Sequence, residues 1–190
     1  MFVISAVSST ADDVFQKTKE TITSIIDKYG TNNIHYAMVF AGSDAVTIVE
    51  FDSYTTTEQL RNMFTKLPRL SGGPALDKAL KRSGEVFKSP GARDDAHKVL
   101  VVIIDKNFAS LNDAILEAKM LEDMDVKLIP VGIGIEVDRK QLAEITPNIS
   151  DVITAAKIDD PEQLGKDIMV KVLKGVYILH YALCSPYLVM

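Results

Sequence analysis

The chain has 190 residues, of which 47% are hydrophobic and 25% charged, and its formal net charge is −5. This length and composition predict one globular domain and exclude a disordered, collagenous or coiled-coil chain. The excess of acidic residues argues against nucleic-acid binding, because phosphate contacts require a basic surface. The single cysteine, Cys184, excludes an internal disulfide and a cysteine-rich zinc site.

Short apolar runs alternate with amphipathic segments through the first half of the chain. In segment 12–29, for example, apolar residues recur at three- and four-residue steps, which is typical of a helix. Two strands in this half are separated by a turn of hairpin length. In chain order the predicted elements are a strand at 2–4, a helix at 12–29, strands at 34–40 and 45–51, and helices at 57–67 and 74–87.

The second half begins with a run of β-branched and aliphatic residues at 98–104. Such a run, apolar on both faces, is typical of a central strand in a parallel sheet. The later predicted elements are a helix at 111–124, a strand at 126–131, a short helix at 138–145, a weak strand at 152–155 and a helix at 161–173. This alternation predicts a doubly wound α/β fold, with a mostly parallel central sheet, one antiparallel edge strand and helices on both faces.

The last fifteen residues, 176–190, are apolar and contain no Asp, Glu, Lys or Arg. A membrane helix needs about 20 such residues, and this segment also contains His180 and Pro186. We therefore expect a tail that packs against the domain at 1–175 or that starts a following segment, with no membrane insertion and no second domain. The first residues lack a basic region, so they are not expected to form a signal peptide.

Three loops should meet beyond the carboxyl ends of the strands, where ligands bind in open α/β sheets. The first loop, 5–10, is rich in hydroxyl groups, the second, 70–74, is rich in glycine, and the third begins at Asp105. Hydroxyl and carboxylate oxygens are ligands that Mg²⁺ accepts. They also cap helices and turns, and the residues alone favour this second interpretation.

Several segments together resemble the von Willebrand factor type A (vWA) domain, the module of integrins, matrilins and several collagens. The resemblance covers about residues 2–173 and implies the same doubly wound fold. It is carried by 36–40 as the second strand, by the glycine turn 70–73 followed by Ala79-Leu80, by 91–93 and 98–105 around the central strand, and by 128–134 as the fifth strand with its turn.

The resemblance implies that the three loops correspond to the family's metal-ion-dependent adhesion site (MIDAS). That site takes Asp-x-Ser-x-Ser from the first loop, a threonine after the paired glycines and an aspartate after the central strand. In this sequence Ser5 stands at the aspartate position and Ser9 at the second serine. If the register slips by one, Ala6 and Thr10 take those places, so the aspartate is lost in either case.

The other two loops also depart from the family's pattern. Pro74 stands at the threonine position, and Lys106 replaces the glycine that usually follows the aspartate, here Asp105. The residual metal ligands are therefore Ser5, Ser9 and Asp105. Because divalent cations prefer several hard, anionic oxygens, we expect no cofactor, with weak Mg²⁺ binding as the alternative. Lys106 is hypothesised to pair with Asp105 where the ion would lie.

The resemblance implies a non-enzymatic adhesion or protein-interaction module, secreted as part of a larger matrix or cell-surface protein. Its partner would be a matrix or cell-surface protein, such as a collagen-like one, bound without metal. The residues predicted to form the binding face are Ser8, Thr10, Gly73, Pro74, Lys106 and Asn107. The alternatives are an Mg²⁺-dependent adhesion domain, an intracellular scaffold, a structural spacer, and an enzyme of the doubly wound class.

One short motif bears on the cellular setting. Asn148-Ile149-Ser150 fits the acceptor pattern for N-linked glycosylation. Such triplets arise often by chance, so the motif adds only slight weight to an extracellular location.

Overall fold

The computed structural model describes residues 1–5, 10–69, 73 and 75–184, without the side chains of 175–184. The strands are β1 (Phe2–Ser5), β2 (Met38–Ala41), β3 (Ala45–Val49), β4 (Lys98–Ile104), β5 (Val126–Ile133) and β6 (Ile153–Ala155). The helices are α1 (Asp12–Tyr29), α2 (Thr57–Thr65), α3 (Leu76–Phe87), α4 (Leu111–Glu122), α5 (Arg139–Glu144) and α6 (Pro161–Cys184), with a 3₁₀ turn at Ile149–Asp151.

The six strands form one sheet in the order β3-β2-β1-β4-β5-β6. All neighbouring pairs are parallel except β2 and β3, which are joined by a tight turn and run antiparallel at one edge. The predicted doubly wound α/β fold with one antiparallel edge strand is therefore confirmed. The parallel strands begin at one edge of the sheet and end at the other, so the loops that follow β1, β4 and β5 lie at a common edge.

Helices cover both faces of the sheet, and the strand period of two decides which side chains meet them. On β1, Phe2 and Ile4 pack with α1, α2 and α6, whereas Val3 packs with α3, α4 and α5. On β4, Val101 and Ile103 face the first group of helices and Val102 faces the second. The continuous apolar run of β4 is explained by this burial on both sides.

Two predicted boundaries differ from the structure by more than two residues. The strand predicted at 34–40 begins only at Met38, because its partner β1 starts at Phe2 and Phe2 aligns with Met38. The helix predicted to end at 173 continues to Cys184. No proline interrupts this stretch, so nothing in the sequence from 174 to 184 stops the helix.

Helix α6 packs closely on α1 through a glycine. A Cβ atom built on Gly165 would lie 2.7 Å from Ser24 Oγ and 3.3 Å from the Thr21 carbonyl oxygen. The absence of a side chain at 165 therefore lets the two helices approach. None of the helices within the described residues is long and apolar enough to cross a membrane.

Candidate functional site

The site lies at the carboxyl edge of the sheet, where β1 and β4 end side by side. Ile4 aligns with Ile103, so Ser5, the last residue of β1, lies beside the end of β4 and the residue that follows it, Asp105. Ser5 Oγ donates a hydrogen bond of 2.9 Å to Asp105 Oδ1. The structure thus brings together two of the three predicted metal ligands. The third, Ser9, lies outside the described residues.

The environment of this pair is partly shielded from water. Ser5 is buried, with 5% of its surface exposed, and Asp105 is half-buried. An ionised carboxylate can only accept hydrogen bonds, so the hydroxyl proton of Ser5 points at Asp105. The two oxygens therefore satisfy each other at the point where the loops converge.

The third loop continues from Asp105 and is tied to the rest of the domain. Asn107 is exposed, and its Oδ1 accepts a hydrogen bond of 2.7 Å from the backbone N–H of Asp138, the residue before α5. Phe108 is buried in the core beneath the loop. No ion pair joins Lys106 to Asp105, although both are described, so the hypothesis of that pair is wrong.

The second loop approaches the same edge next to the β2–β3 turn. The backbone N–H of Ala75 donates a hydrogen bond of 2.8 Å to the carbonyl of Gly42, which follows β2. Gly73 is exposed, whereas Pro74 lies outside the described residues, as does Ser8 of the first loop. Thr10 is buried, with 3% of its surface exposed, and its Oγ1 has no hydrogen-bond partner in the described part of the chain.

A fourth segment borders the site, the turn that follows β5. Gly134 adopts a φ of 109°, a conformation that favours glycine, and its N–H donates to the Ala155 carbonyl at 2.8 Å. A Cβ on Gly134 would lie 3.6 Å from the carbonyl oxygen of Asp105, so the turn runs beside the third loop. The next side chain, Ile135, is 91% exposed. Sequence reasoning missed Ile135, and the available signal was a large apolar residue between Gly134 and Glu136 in a predicted turn.

The family model of the von Willebrand factor type A domain matches residues 1–168. The chain belongs to this family. The matched segment includes every element up to the first third of α6, and with it the edge where Ser5 meets Asp105.

Similar proteins include long matrix chains. The vWA domain is 25% identical over 157 residues to the collagen alpha-5(VI) chain of Mus musculus, covering 81% of this chain and 6% of that protein. It is 24% identical over 141 residues to the collagen alpha-5(VI) chain of Homo sapiens, covering 73% of this chain and 5% of that one. The chain therefore corresponds to a small part of these relatives.

Among solved structures, the fold is similar to proximal thread matrix protein 1 from the mussel byssus, in a form with a zinc-occupied MIDAS motif. The TM-score is 0.81 at 18% identity, over 90% of this chain and 46% of that one. This likeness concerns the fold.

Side chains that could ligate a metal ion do not form a cluster in the described part of the vWA domain. No group of three or more His, Cys, Asp or Glu side chains is arranged to hold a metal ion within the described ranges. At the carboxyl edge these ranges contribute the carboxylate of Asp105 and the hydroxyl of Ser5.

A separate cavity of about 470 Å³ lies at the opposite edge of the sheet. It is lined by α1, α6 and the first residues of β1 and β4, including Phe2, Ile25 and Met169. Tyr36 also lines it and stacks on Phe2 with ring centroids 6.5 Å apart. The Tyr36 hydroxyl is buried and has no hydrogen-bond partner among the residues that the structure describes. The pKa of this hydroxyl is raised, mainly because the group is buried and also because of electrostatic repulsion from Tyr29.

Proposed function

We propose that this vWA domain is a non-enzymatic protein-interaction module of an extracellular matrix or cell-surface protein, and that it binds its partner without a metal ion. Its similarity to collagen alpha-5(VI) chains and to a byssal matrix protein supports the matrix setting. The observation that carries metal independence is the hydrogen bond from Ser5 to Asp105.

A divalent cation at this edge would require oxygen lone pairs that point at one centre. Mg²⁺ takes about six oxygen ligands in octahedral geometry and favours anionic ones. Of the residues predicted to ligate a metal, those that the structure describes offer one carboxylate, that of Asp105, and its Oδ1 already accepts the proton of Ser5. Where the family has an aspartate, the neutral hydroxyl of Ser5 stands, and the positive Lys106 follows Asp105 directly. This donor set does not fit a divalent cation.

The proposed contact surface is the carboxyl edge itself. Ile135 is 91% exposed, and Asn107 and Gly73, also exposed, belong to neighbouring loops at this edge. An apolar side chain surrounded by polar groups is the usual arrangement of a binding hot spot and its rim. Burying an isoleucine side chain contributes about 1.5–3 kcal/mol, so Ile135 supplies the anchor and the polar loops supply orientation.

Immobilised triple-helical collagen is the first probe, because the proposal names a collagen-like matrix partner. We expect the domain to bind it equally in Mg²⁺ and in EDTA. Asp105→Ala should change the affinity less than tenfold, which corresponds to about 1.4 kcal/mol, whereas Ile135→Ser should weaken it by tenfold or more. Leu116→Ser is the matched control, since Leu116 is 60% exposed but belongs to α4, outside the loops of the carboxyl edge.

The same assay distinguishes metal-independent binding from the alternative, a metal-dependent adhesion domain. Binding that disappears in EDTA, together with a loss above tenfold in Asp105→Ala, would overturn metal-independent adhesion in favour of a residual MIDAS. Equal loss in Ile135→Ser and Leu116→Ser would remove Ile135 as the anchor.

A further inference from the structure

The triplet Asn148-Ile149-Ser150 is the only Asn-x-Ser/Thr sequence in the 190 residues. Asn148 caps the 3₁₀ turn Ile149–Asp151 that leads into β6, and all three residues of the triplet are exposed. Most glycosylation acceptors lie in surface loops of this kind. The motif that carried little weight in the sequence therefore occupies an accessible position in the fold.

The two groups that glycosylation requires are the side-chain amide nitrogen of Asn148 and the hydroxyl of Ser150. Asn148 Oδ1 accepts a hydrogen bond of 3.0 Å from the backbone N–H of Ser150. The side-chain amide nitrogen of Asn148 and the hydroxyl of Ser150 form no hydrogen bond within the described residues. The amide nitrogen that would be modified and the hydroxyl that the acceptor pattern requires thus belong to exposed residues, and no hydrogen bond within the described part of the chain competes for them.

Contacts with β5 and α6 fix the position of the 3₁₀ turn along the strand direction. Asp151, buried at its end, lies 3.4 Å from Lys127 Nζ, and Lys171 of α6 donates a hydrogen bond to the Ser150 carbonyl. Lys127 is near the start of β5, and the strand ends at Ile133. At about 3.3 Å per residue, this places the turn roughly 20 Å from the carboxyl edge. A bulky group on Asn148 would leave the proposed binding surface open.

An oligosaccharide attached at Asn148 would lie next to two exposed surfaces, the edge strand β6 and the side chain of Ile149. Strand β6 is an edge of the sheet, paired on one side with β5, and exposed edge strands are templates for association with other chains. The middle residue of the triplet, Ile149, is a large apolar side chain that is 60% exposed. A hydrophilic oligosaccharide beside Ile149 and β6 would shield both.

We propose that Asn148 is the acceptor of an N-linked oligosaccharide, which the chain receives in the secretory pathway. The co-reactant is a lipid-linked oligosaccharide pyrophosphate. The amide nitrogen of Asn148 forms a bond to the anomeric carbon of the sugar, the bond from that carbon to the pyrophosphate oxygen breaks, and the proton lost by the amide balances the departing lipid pyrophosphate. The proposal rests on the extracellular setting given under the proposed function.

The test expresses the full chain behind a heterologous secretion signal in cultured mammalian cells. We expect the secreted protein to carry a mass increment that peptide-N-glycosidase removes, leaving aspartate at 148 in the tryptic peptide. Asn148→Asp keeps an oxygen for the Ser150 N–H and should lose the increment while remaining secreted. Ser150→Ala should lose it as well, whereas Ser150→Thr should keep it.

A secreted wild-type chain without the increment, or an increment that survives in Asn148→Asp, overturns the proposal. Binding of the enzymatically deglycosylated domain to immobilised collagen is measured in parallel. Loss of collagen binding in every form would contradict the proposed function while leaving the acceptor assignment intact, so the two failures are distinguishable.

Discussion

Ser5 Oγ and Asp105 Oδ1 are 2.9 Å apart although the two residues are separated by 100 positions in the chain. Ser5 ends β1, Asp105 follows β4, and the parallel pairing of these strands brings the two side chains together. The bond lies at the carboxyl edge of the sheet, where the resemblance to the vWA family predicts the metal site. It connects the stability of the fold with the chemistry of the candidate site.

Replacing Ser5 by alanine removes this hydrogen bond. Because Ser5 is buried and its acceptor is charged but half-exposed, we expect the free energy of unfolding to fall by about 1–2 kcal/mol, measured by urea denaturation. Ser110→Ala is the control, since Ser110 is exposed and makes no side-chain hydrogen bond at the start of α4; its effect should stay within about 0.5 kcal/mol. Equal effects of the two variants would show that the Ser5 hydroxyl contributes nothing specific.

Thermal unfolding in excess Mg²⁺ or Mn²⁺, compared with EDTA, tests the donor set directly. An ion that binds only the folded domain at a hundred times its dissociation constant adds about 2.7 kcal/mol of stability. With Ser5 in place of the family's aspartate, we expect the melting temperature to be the same in all three solutions. A rise of several degrees that is abolished by Asp105→Ala would contradict metal-independent function.

The Tyr36 hydroxyl, which has no hydrogen-bond partner among the described residues, leads to a prediction for Tyr36→Phe. A buried hydroxyl without a hydrogen bond costs free energy, so at pH 7 the phenylalanine variant should be at least as stable as the wild type. Urea denaturation measures the difference. A loss above about 1 kcal/mol would mean that the hydroxyl has a partner.

The pH dependence of the same variant has a defined sign. Burial raises the pKa of Tyr36 above the ordinary tyrosine value of about 10. Below that pH both states are protonated, whereas above it the unfolded chain loses the proton that the folded chain keeps. The wild type should therefore lose stability above about pH 10 relative to Tyr36→Phe. Parallel stability curves for the two proteins between pH 9 and 11, about the ordinary pKa, would contradict this.

Two helical glycines form a matched pair for testing the contact of α1 with α6. In Gly165→Ala the new Cβ would lie 2.7 Å from Ser24 Oγ, so we expect destabilisation by about 1–3 kcal/mol. In Gly84→Ala the nearest atom of another element is 3.8 Å away, so alanine should stabilise α3 by up to about 1 kcal/mol. Chemical denaturation of both variants, and of Gly165→Ala combined with Ser24→Ala, measures the difference. If Gly165→Ala is as stable as Gly84→Ala, α6 does not pack closely on α1.

The sequence was informative where a pattern is local. The apolar run at 98–104 is buried on both faces and became β4, the centre of the sheet, with the predicted bounds. Boundaries that depend on a partner strand were less predictable. Residues 34–37 have the composition of a strand, but β1 offers no residue to pair with them, and β2 begins at Met38.

At the candidate site, too, single residues could be predicted from the sequence, whereas the contacts between them could not. Asp105 could be found from its place after the central strand, and Ser5 from the end of the first. The hydrogen bond between them depends on the register of β1 against β4, which the sequence does not state. Ile135 was overlooked, because one apolar residue in a turn carries no periodic signal, and its exposure is visible only once the turn is placed beside Asp105.

The sequence by itself determined the order of strands and helices along the chain and the buried central strand, because these follow from residue identity and short-range periodicity. It also predicted the loss of the family's first aspartate. The tertiary structure decided which polar groups meet. It paired Ser5 with Asp105, left Lys106 without an ion pair to Asp105, and exposed Asn148. These features depend on how distant strands align and on which surfaces the packed helices leave open.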